Sequence, residues 1–172
     1  MKKIVLISDT HSILDHNFFK YFVEADEIWH AGDIGSLDVV DKLKEFAKLK
    51  AVYGNIDNSI IRSEFPEMIY YKCEDINVLM THIGGYPGCY NKKILNYIKE
   101  KKVDLFISGH THILKVMYDK NYNLLHINPG ALGEYGIHQV KTLIQFTVEK
   151  KNIKDLKVIE RQKKTNVFYQ QI

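Results

Sequence analysis

Arginine is scarce in this sequence, although basic residues as a whole are not. Only Arg62 and Arg161 are arginines among the 24 basic residues, and the net charge is +3. The lysines are scattered in the way typical of a solvated surface, whereas nucleic-acid binding needs a basic stripe with interleaved aromatic residues. Residues 157–170, KVIERQKKTNVFYQ, are only a faint version of such a stripe. We therefore do not expect nucleic acid as a partner.

Long hydrophobic runs are also missing. The longest, KIVLIS at 3–8 and VDLFIS at 103–108, are too short to cross a bilayer. Asp9 and His11 interrupt the N-terminal run, so it predicts a first strand rather than a signal peptide. Cysteine is scarce as well: the two cysteines, at 73 and 89, lack metal-ligand spacing and are interpreted as free thiols in a reducing compartment. These absences favour a cytoplasmic protein without a membrane segment.

The length of 172 residues fits one domain, spanning residues 1–172. Strands and helices alternate in the first half, which predicts a parallel sheet with right-handed crossovers. The second half is richer in strands, with turns expected near Asp75, at 121–123 and at 150–152. Apolar runs predict strands at 2–8, 26–30, 49–54, 67–74, 76–82, 103–109, 113–119, 123–128, 142–150 and 153–161. Helical spacing occurs at 16–25, 36–48 and 91–102. The expected fold class is α/β, with two sheets packed face to face and helices outside.

Polar side chains follow five of the predicted strands, at the point where each strand ends. These groups are Asp9 and His11, Asp33, Asn55 and Asp57, His82, and His110 and His112. Ligands of open α/β sheets bind at the carboxyl ends of the strands. Each group alone has an ordinary explanation as a cap, a turn or a surface residue. Together they would bring carboxylates, an amide and imidazoles to one rim, where burying each separately would be unfavourable. A metal centre would satisfy them together.

The types of ligand restrict the metal. The absence of cysteine argues against a structural zinc site, and mixed imidazole and carboxylate ligands suit Mn²⁺, Fe²⁺, Ni²⁺ or Zn²⁺. The set is too large for one ion with an open position, so two divalent ions are expected. Mn²⁺ is the favoured ion, with Ni²⁺, Fe²⁺, Zn²⁺ and Mg²⁺ as alternatives. Two ions roughly 3.5–4 Å apart that share a carboxylate form a clamp for in-line phosphoryl displacement.

In this order, the groups resemble the motifs of the calcineurin-like metallophosphoesterase superfamily, over about residues 4–133. The motifs read Asp9-Thr10-His11, Gly32-Asp33, Gly54-Asn55-Ile56-Asp57, His82 and Gly109-His110-Thr111-His112. The compact size and the sequence NPGA at 128–131 resemble the YfcE-like phosphodiesterase branch. The resemblance implies a four-layer α/β/β/α sandwich of two mixed sheets flanked by helices.

The resemblance also implies a role for each motif residue. The first ion would be held by Asp9, His11 and His112, and the second by Asn55, His82 and His110. Asp33 would bridge the two ions, and a bridging hydroxide would be the nucleophile. The catalytic set that follows is Asp9, Asp33, Asn55, Asp57, His82 and His110. Asn55 and His82 are expected to contact the substrate as well.

One position departs from the superfamily pattern. Many members have Gly-Asn-His in the third motif, where the histidine protonates the leaving group or stabilises the transition state, whereas this chain has Ile56. Without that acid a leaving group of high pKa is harder to expel. We therefore expect a phosphodiesterase acting on a small-molecule phosphoester. The alternatives are a phosphomonoesterase or nuclease of the same fold, or a non-catalytic protein-binding scaffold of the retromer-subunit type. A homodimer is an alternative to a monomer.

Several residues near the motifs have two interpretations. Asp57 and His30 are expected either to orient ligands or to serve as structural residues. Asn128 is expected to position neighbouring groups. The remaining histidines match no motif and are interpreted as structural or surface residues; they are His16, His126 and His138.

The glycine-rich segment 84–92 follows His82 directly. It predicts either a wall of the site or a plain surface loop. Tyr86 is the expected substrate-binding residue within it, and Tyr90 and Lys92 are further candidates for substrate contact.

Overall fold

The computed structural model describes residues 1–163. Within this range the chain forms ten strands, four α-helices and one short 3₁₀ helix. Residues 164–172 lie outside the described part. The basic segment 157–170 and the predicted domain 1–172 both extend into these residues. Over residues 1–163, none of the helices is long and apolar enough to cross a membrane.

The first sheet contains the N-terminal strand at its centre. In spatial order its strands are β10 (Asn152–Gln162), β9 (Val140–Glu149), β1 (Lys2–Ile7), β2 (Glu27–His30) and β3 (Lys48–Ala51). Strands β1, β2 and β3 are parallel, and β9 is antiparallel to both β1 and β10. Alternate residues of β1 enter two different cores, Ile4 on one face and Val5 on the other. Burial on both faces explains why this strand is continuously apolar.

The second sheet is also mixed. In spatial order its strands are β4 (Met68–Cys73), β5 (Ile76–Thr81), β6 (Leu105–Ile107), β8 (Leu124–Pro129) and β7 (Leu114–Asp119). The central strands β5, β6 and β8 are parallel, and the outer strands β4 and β7 are antiparallel to their neighbours. The β4–β5, β7–β8 and β9–β10 connections lie where the sequence predicted turns, so those turns are confirmed.

Helices cover the outer face of each sheet. They are α1 (Phe19–Phe22), α2 (Leu37–Lys44), α3 (Ser59–Glu64) and α4 (Lys92–Glu100), with the 3₁₀ helix at His16–Phe18. Phe22, Val40 and Ile61 of the first three helices pack against the first sheet, whereas Ile94 of α4 packs against the second. Each such fully buried side chain contributes about 1.5–3 kcal/mol of transfer free energy. The four-layer α/β/β/α sandwich is confirmed.

Two helices differ from the sequence prediction. The helix expected at 16–25 is a 3₁₀ turn followed by one short α-helical turn, and the backbone N–H of Asn17 is capped by the Asp15 side chain at 3.0 Å. Helix α3 was not predicted. It begins after Asn58, whose Oδ1 accepts hydrogen bonds from the N–H groups of residues 60 and 61, which is a standard N-cap arrangement.

Glu27 of β2 is a buried carboxylate beside the core between the sheets. It accepts hydrogen bonds from Lys2 Nζ at 2.6 Å, from Lys50 Nζ and from Trp29 Nε1 at 2.8 Å. Burial alone would raise the pKa of Glu27, but these three donors outweigh it and lower the pKa from 4.5 to about 2. The carboxylate therefore stays ionised inside the fold because it is fully paired.

Candidate metal centre

The carboxyl ends of the parallel strands from both sheets meet at one edge, as predicted. Backbone hydrogen bonds hold the loops that leave β1 and β2 together, because Asp9 N–H donates to Gly32 O at 3.0 Å and His11 N–H donates to Asp33 O at 3.1 Å. Across the sheets, His110 N–H donates to Asp9 Oδ2 at 3.2 Å. The motif residues are thus fixed relative to one another by main-chain contacts before any ligand is considered.

The motif side chains form two clusters with the composition of metal sites. Asp9, His11 and His112 make one cluster, and Asp33, His82 and His110 make the other; in each, one ligand atom per residue lies within 4.8 Å of the others. In the first cluster His112 Nε2 lies 3.2 Å from Asp9 Oδ1. These distances are short enough for one cation to contact all three side chains of a cluster.

The carboxylate of Asp33 lies between the two clusters. Its Oδ2 is 3.7 Å from His11 Nε2, and its Oδ1 is 3.2 Å from His82 Nε2. The backbone N–H of Ile56 also donates to Oδ1 at 3.1 Å, which fixes the carboxylate in this orientation. Burial would raise the pKa of Asp33, but the contact with His82 outweighs it, so the pKa is lowered. One oxygen of the same carboxylate therefore faces each cluster.

His82 presents a defined nitrogen to the site. Its Nδ1 lies 2.8 Å from the carbonyl oxygen of Ala31, which can only accept, so Nδ1 carries the hydrogen. Nε2 then faces two further oxygens, Asp33 Oδ1 and, at 3.1 Å, Asn55 Oδ1. Burial opposes a charge on His82, but Asp33 and Asp9 outweigh burial and raise its pKa. A nitrogen surrounded by acceptors requires a proton or a metal cation between them.

His138 lies against His112, a contact that the interpretation of His138 as a structural or surface residue did not include. Its Nε2 lies 3.1 Å from Gly133 O and therefore carries the hydrogen, which leaves Nδ1 as an acceptor 3.3 Å from His112 Nδ1. Burial lowers the pKa of His138, in keeping with this neutral form. His112 Nδ1 then donates, so its Nε2 is free to bind a metal. Fixing the tautomer of a metal-binding histidine in this way is common.

Three other residues support the loops that carry the site. Asp57 accepts hydrogen bonds from the N–H groups of residues 34, 35 and 54 at 2.7–3.1 Å, which ties the Asp33 loop to the Asn55 loop. His30 is buried and contacts Thr10 Oγ1 at 2.9 Å, and burial lowers its pKa to about 4. Asn128 donates to Gly109 O at 2.8 Å and so steadies the loop before His110. Asp57, His30 and Asn128 therefore each contact atoms of the loops that carry the motif residues.

Arg62, in α3 just after the loop that carries Asn55, was not identified from the sequence. Its guanidinium donates to the carbonyl oxygens of Asp57, Gly54 and Asn55 at 2.7, 3.2 and 3.1 Å. Its planar fork of N–H groups therefore holds three carbonyl groups of one loop, a geometry that the single nitrogen of lysine does not reproduce. The only sequence signal was that one of two arginines stands five residues after the third motif.

The two motif glycines at the centre leave space for their neighbours. A Cβ on Gly54 would lie 2.0 Å from Asp33 Oδ1, and a Cβ on Gly109 would lie 2.1 Å from Ser8 Oγ. Real Cβ atoms essentially never approach so closely. Glycine is therefore required at both positions by close approach.

The burial of Asp9, which does not enter the motif pattern, also indicates that these ligand atoms fit divalent cations. Asp9 is fully buried, yet its Oδ1 has no hydrogen-bond partner among the described residues. A buried carboxylate oxygen without a partner is strongly unfavourable unless a cation or another charge faces it. The imidazole nitrogens around it provide the remaining ligands, and this mixture of ligands suits a transition-metal ion.

The candidate residues outside the proposed metal ligands lie in different places. Tyr86 and Tyr90 line a cavity beside His110, and the Tyr90 hydroxyl donates to Asp119 Oδ2 at 2.7 Å. Lys92 is exposed at the start of α4 and is not one of the lining residues of that cavity. His16 is a surface residue, as predicted.

Comparison with protein families matches residues 1–151 to the calcineurin-like phosphoesterase superfamily domain. The chain belongs to this superfamily. The resemblance inferred from the five motifs is thereby confirmed, and the chain is a metallophosphoesterase by family. Divalent metal ions are the cofactors that this family implies, in agreement with the two candidate clusters.

Individual relatives agree with this assignment. A probable metallophosphoesterase of Methanocaldococcus jannaschii is 36% identical over 136 residues, covering 74% of this chain and 67% of the relative. Another probable metallophosphoesterase, of Methanothermobacter thermautotrophicus, is 30% identical over 135 residues, covering 74% and 76%. Among solved structures, Vps29 of Entamoeba histolytica complexed with Zn²⁺ has a TM-score of 0.73 at 17% identity, covering 93% of this metallophosphoesterase and 98% of Vps29. That last likeness concerns the fold alone.

Proposed function

We propose that this metallophosphoesterase is a two-metal phosphodiesterase that hydrolyses a small-molecule phosphodiester. The observation that carries the proposal is the position of Asp33, whose Oδ2 is 3.7 Å from His11 Nε2 and whose Oδ1 is 3.2 Å from His82 Nε2. A single carboxylate with one oxygen toward each of two ligand clusters is the arrangement that a pair of ions requires. Mn²⁺ is the proposed ion, and Zn²⁺, Fe²⁺, Ni²⁺ and Mg²⁺ are alternatives.

The proposed ligands are divided between the clusters. Asp9, His11 and His112 would hold one ion, Asn55, His82 and His110 the other, and Asp33 both. When bound, such ions activate water and neutralise charge on the phosphoryl oxygens. The chain itself keeps the ligand atoms in place, because Asp57 and Arg62 fix the Asn55 loop while His138 directs His112 Nε2 inward.

The absence of an acid at the third motif favours phosphodiesters, or esters with good leaving groups, over alkyl monoesters. Ile56 is 45% exposed at the mouth of the site, and its contribution to the site is its backbone N–H to Asp33. Its side chain cannot protonate a leaving group, so substrates with leaving groups of low pKa should react fastest. A cytoplasmic location remains a prediction, as does the oligomeric state.

The test is hydrolysis of bis(p-nitrophenyl) phosphate and of p-nitrophenyl phosphate by metal-stripped protein with Mn²⁺ added back. We expect Mn²⁺-dependent turnover with the diester preferred. Asp33→Asn should lower kcat/KM by about 100-fold or more, since the loss of the shared ligand removes several kcal/mol of stabilisation. The matched control is Asp38→Asn on the exposed side of α2, which should retain full activity. Faster turnover of the monoester would contradict the diesterase assignment.

A scaffold function is the second candidate, because apolar side chains are exposed around the first cluster. Tyr135 is 69% exposed beside the His11 ring, and Ile137 is 97% exposed two residues further on. Exposed apolar groups of this kind are typical of protein-interaction surfaces. Binding of two metal ions without hydrolysis of any phosphoester would favour the scaffold over the enzyme.

A further inference from the structure

A cavity of about 470 Å³ adjoins the second cluster. His110 belongs to both, since it is a member of the cluster and also lines the cavity. The size lies within the range of small-molecule sites, about 300–1,000 Å³. The other lining residues come from loop 84–91 and from the strand ends of the second sheet, and those used below are Tyr86, Cys89, Tyr90, Lys115 and His126.

The wall formed by loop 84–91 is held in place. Asn91 N–H donates to Gly84 O at 3.1 Å, which closes the loop on itself. Lys115 Nζ lies 3.5 Å from the centre of the Tyr86 ring, a cation–π contact that joins the loop to β7. The Tyr90 ring packs edge-on against the Phe106 ring at 5.7 Å. The cavity is thus bordered by aromatic rings in fixed positions.

His126 contributes a buried ring to the wall of the cavity. The side chain is 1% exposed, and the centre of its ring lies 5.2 Å from that of the Phe106 ring. Burial lowers the pKa of His126 to about 4, and the charge of Lys115 acts in the same direction, so the imidazole is neutral. An uncharged ring at this position extends the aromatic lining of the cavity.

We propose that this cavity, the His126 pocket, binds an aromatic ring that is joined through an ester oxygen to the phosphate at the two ligand clusters. The proposal rests on the proposed function and names its substrate class. Its basis is the shared residue His110, the aromatic border formed by Tyr86 and Tyr90, and the buried imidazole of His126. Aromatic borders favour a flat ring through offset or edge-on packing.

Cys89 allows the pocket to be probed without turnover. Its thiol is exposed and lies on the wall of the pocket, whereas Cys73 is buried and burial raises the Cys73 pKa. In the Mn²⁺-loaded protein, the rate of Cys89 alkylation by iodoacetamide is followed by mass spectrometry, with Cys89→Ser confirming the site. Two phosphonates, neither of which contains a hydrolysable ester, serve as competitors: 4-hydroxyphenylphosphonate, and methylphosphonate as the control without a ring.

We expect 4-hydroxyphenylphosphonate to protect Cys89 at a concentration about tenfold lower than methylphosphonate, equivalent to about 1.4 kcal/mol. Tyr86→Ala should reduce this preference below about threefold, whereas Tyr118→Ala, an exposed tyrosine outside the pocket, should preserve it. Lys115→Met and its exposed control Lys120→Met form a second matched pair. Lys115→Met should also reduce the preference below about threefold, whereas Lys120→Met should preserve it. Equal protection by both phosphonates would overturn the proposal, and so would an unchanged preference in both pocket variants.

The outcome is separable from that of the proposed function. If Cys89 is protected selectively but no phosphoester is hydrolysed, the diesterase assignment is wrong, whereas ligand binding in the His126 pocket is supported. If aryl diesters are hydrolysed while protection is unselective, the diesterase assignment is supported, whereas the proposal for the His126 pocket is wrong.

Discussion

Replacing Gly54 by alanine tests whether the site depends on the position of Asp33 between the two clusters. A Cβ there would lie 2.0 Å from Asp33 Oδ1 and 2.3 Å from Asp33 N, whereas ordinary contacts are 3.4–4 Å. The backbone of Gly54 is not in the left-handed region, so alanine is conformationally acceptable. The clash with Asp33 is therefore the main effect of Gly54→Ala, and either Asp33 or the Asn55 loop must move by more than 1 Å.

The size of the expected effect follows from that displacement. A misplacement of about 1 Å at a reacting centre typically costs about 100-fold in rate. We therefore expect Gly54→Ala to lower kcat/KM for an aryl diester by about 100-fold and to weaken Mn²⁺ binding at one of the two sites. Overpacking should also reduce the free energy of unfolding, by about 1–3 kcal/mol.

The assay combines diester hydrolysis with Mn²⁺ stoichiometry by equilibrium dialysis. Gly88→Ala is the matched control, because a Cβ at Gly88 meets nothing within 4 Å. Its φ of +85° makes alanine strained, so this variant should lose about 1 kcal/mol of stability while both ions stay bound. Gly54→Ala protein that binds two ions and retains activity within threefold of wild type would refute the reasoning about Asp33.

Four further predictions concern substitutions of Arg62, His138, Ile56 and Glu27. Arg62→Lys should lower kcat/KM about tenfold with little loss of stability, because the single nitrogen of lysine cannot match carbonyls that are placed for the Nε and Nη2 of a planar guanidinium. Steady-state kinetics and thermal unfolding will measure this. His138→Phe should weaken Mn²⁺ binding by about 10–100-fold through the lost control of the His112 tautomer, as titration calorimetry will report. Ile56→His should raise the rate on alkyl esters at least about tenfold more than on p-nitrophenyl esters, since only poor leaving groups need an acid. Glu27→Gln should destabilise the protein at pH 7 by roughly 3 kcal/mol, because the folded pKa of about 2 lies below the ordinary 4.5. That stabilisation is complete above pH 4.5 and is lost as pH falls toward 2, so urea unfolding curves of Glu27→Gln and wild type should converge in that range.

The sequence predicted those parts of the site that follow from strand ends. The apolar runs located the strands, and parallel strands expose their carboxyl ends at one edge. The motif residues that follow these ends therefore had to meet, and the structure brings Asp9, Asp33 and His82 together within 4 Å. The fold class followed from the same alternation of strands and helices. This part of the prediction needed no knowledge of loop conformation.

The roles of two supporting residues, Arg62 and His138, could not be predicted because their contacts depend on loop paths. His138 reaches His112 across 26 residues of sequence, and no periodic pattern connects the two. Arg62 lies in α3, a helix of six residues that is too short to show an amphipathic pattern. The cavity beside His110 depends on how loop 84–91 folds back on Gly84. In each case the contact depends on the path of a loop, which the strand and helix patterns of the sequence do not determine.

The backbone of the proposed ligands shows why the site depends on the rest of the fold. Asp9, His11, Asp33, His110 and His112 all have φ between +46° and +70°, the left-handed region that non-glycine residues rarely adopt. Each such residue costs about 1–2 kcal/mol, so these five together oppose folding by an amount comparable to the whole stability of a typical domain. The apolar core between the sheets must offset that strain, together with the hydrogen bonds that Asp57 accepts and Arg62 donates. Bound cations, which would pair the buried Asp9 Oδ1, would therefore stabilise a geometry that the chain adopts at a conformational cost.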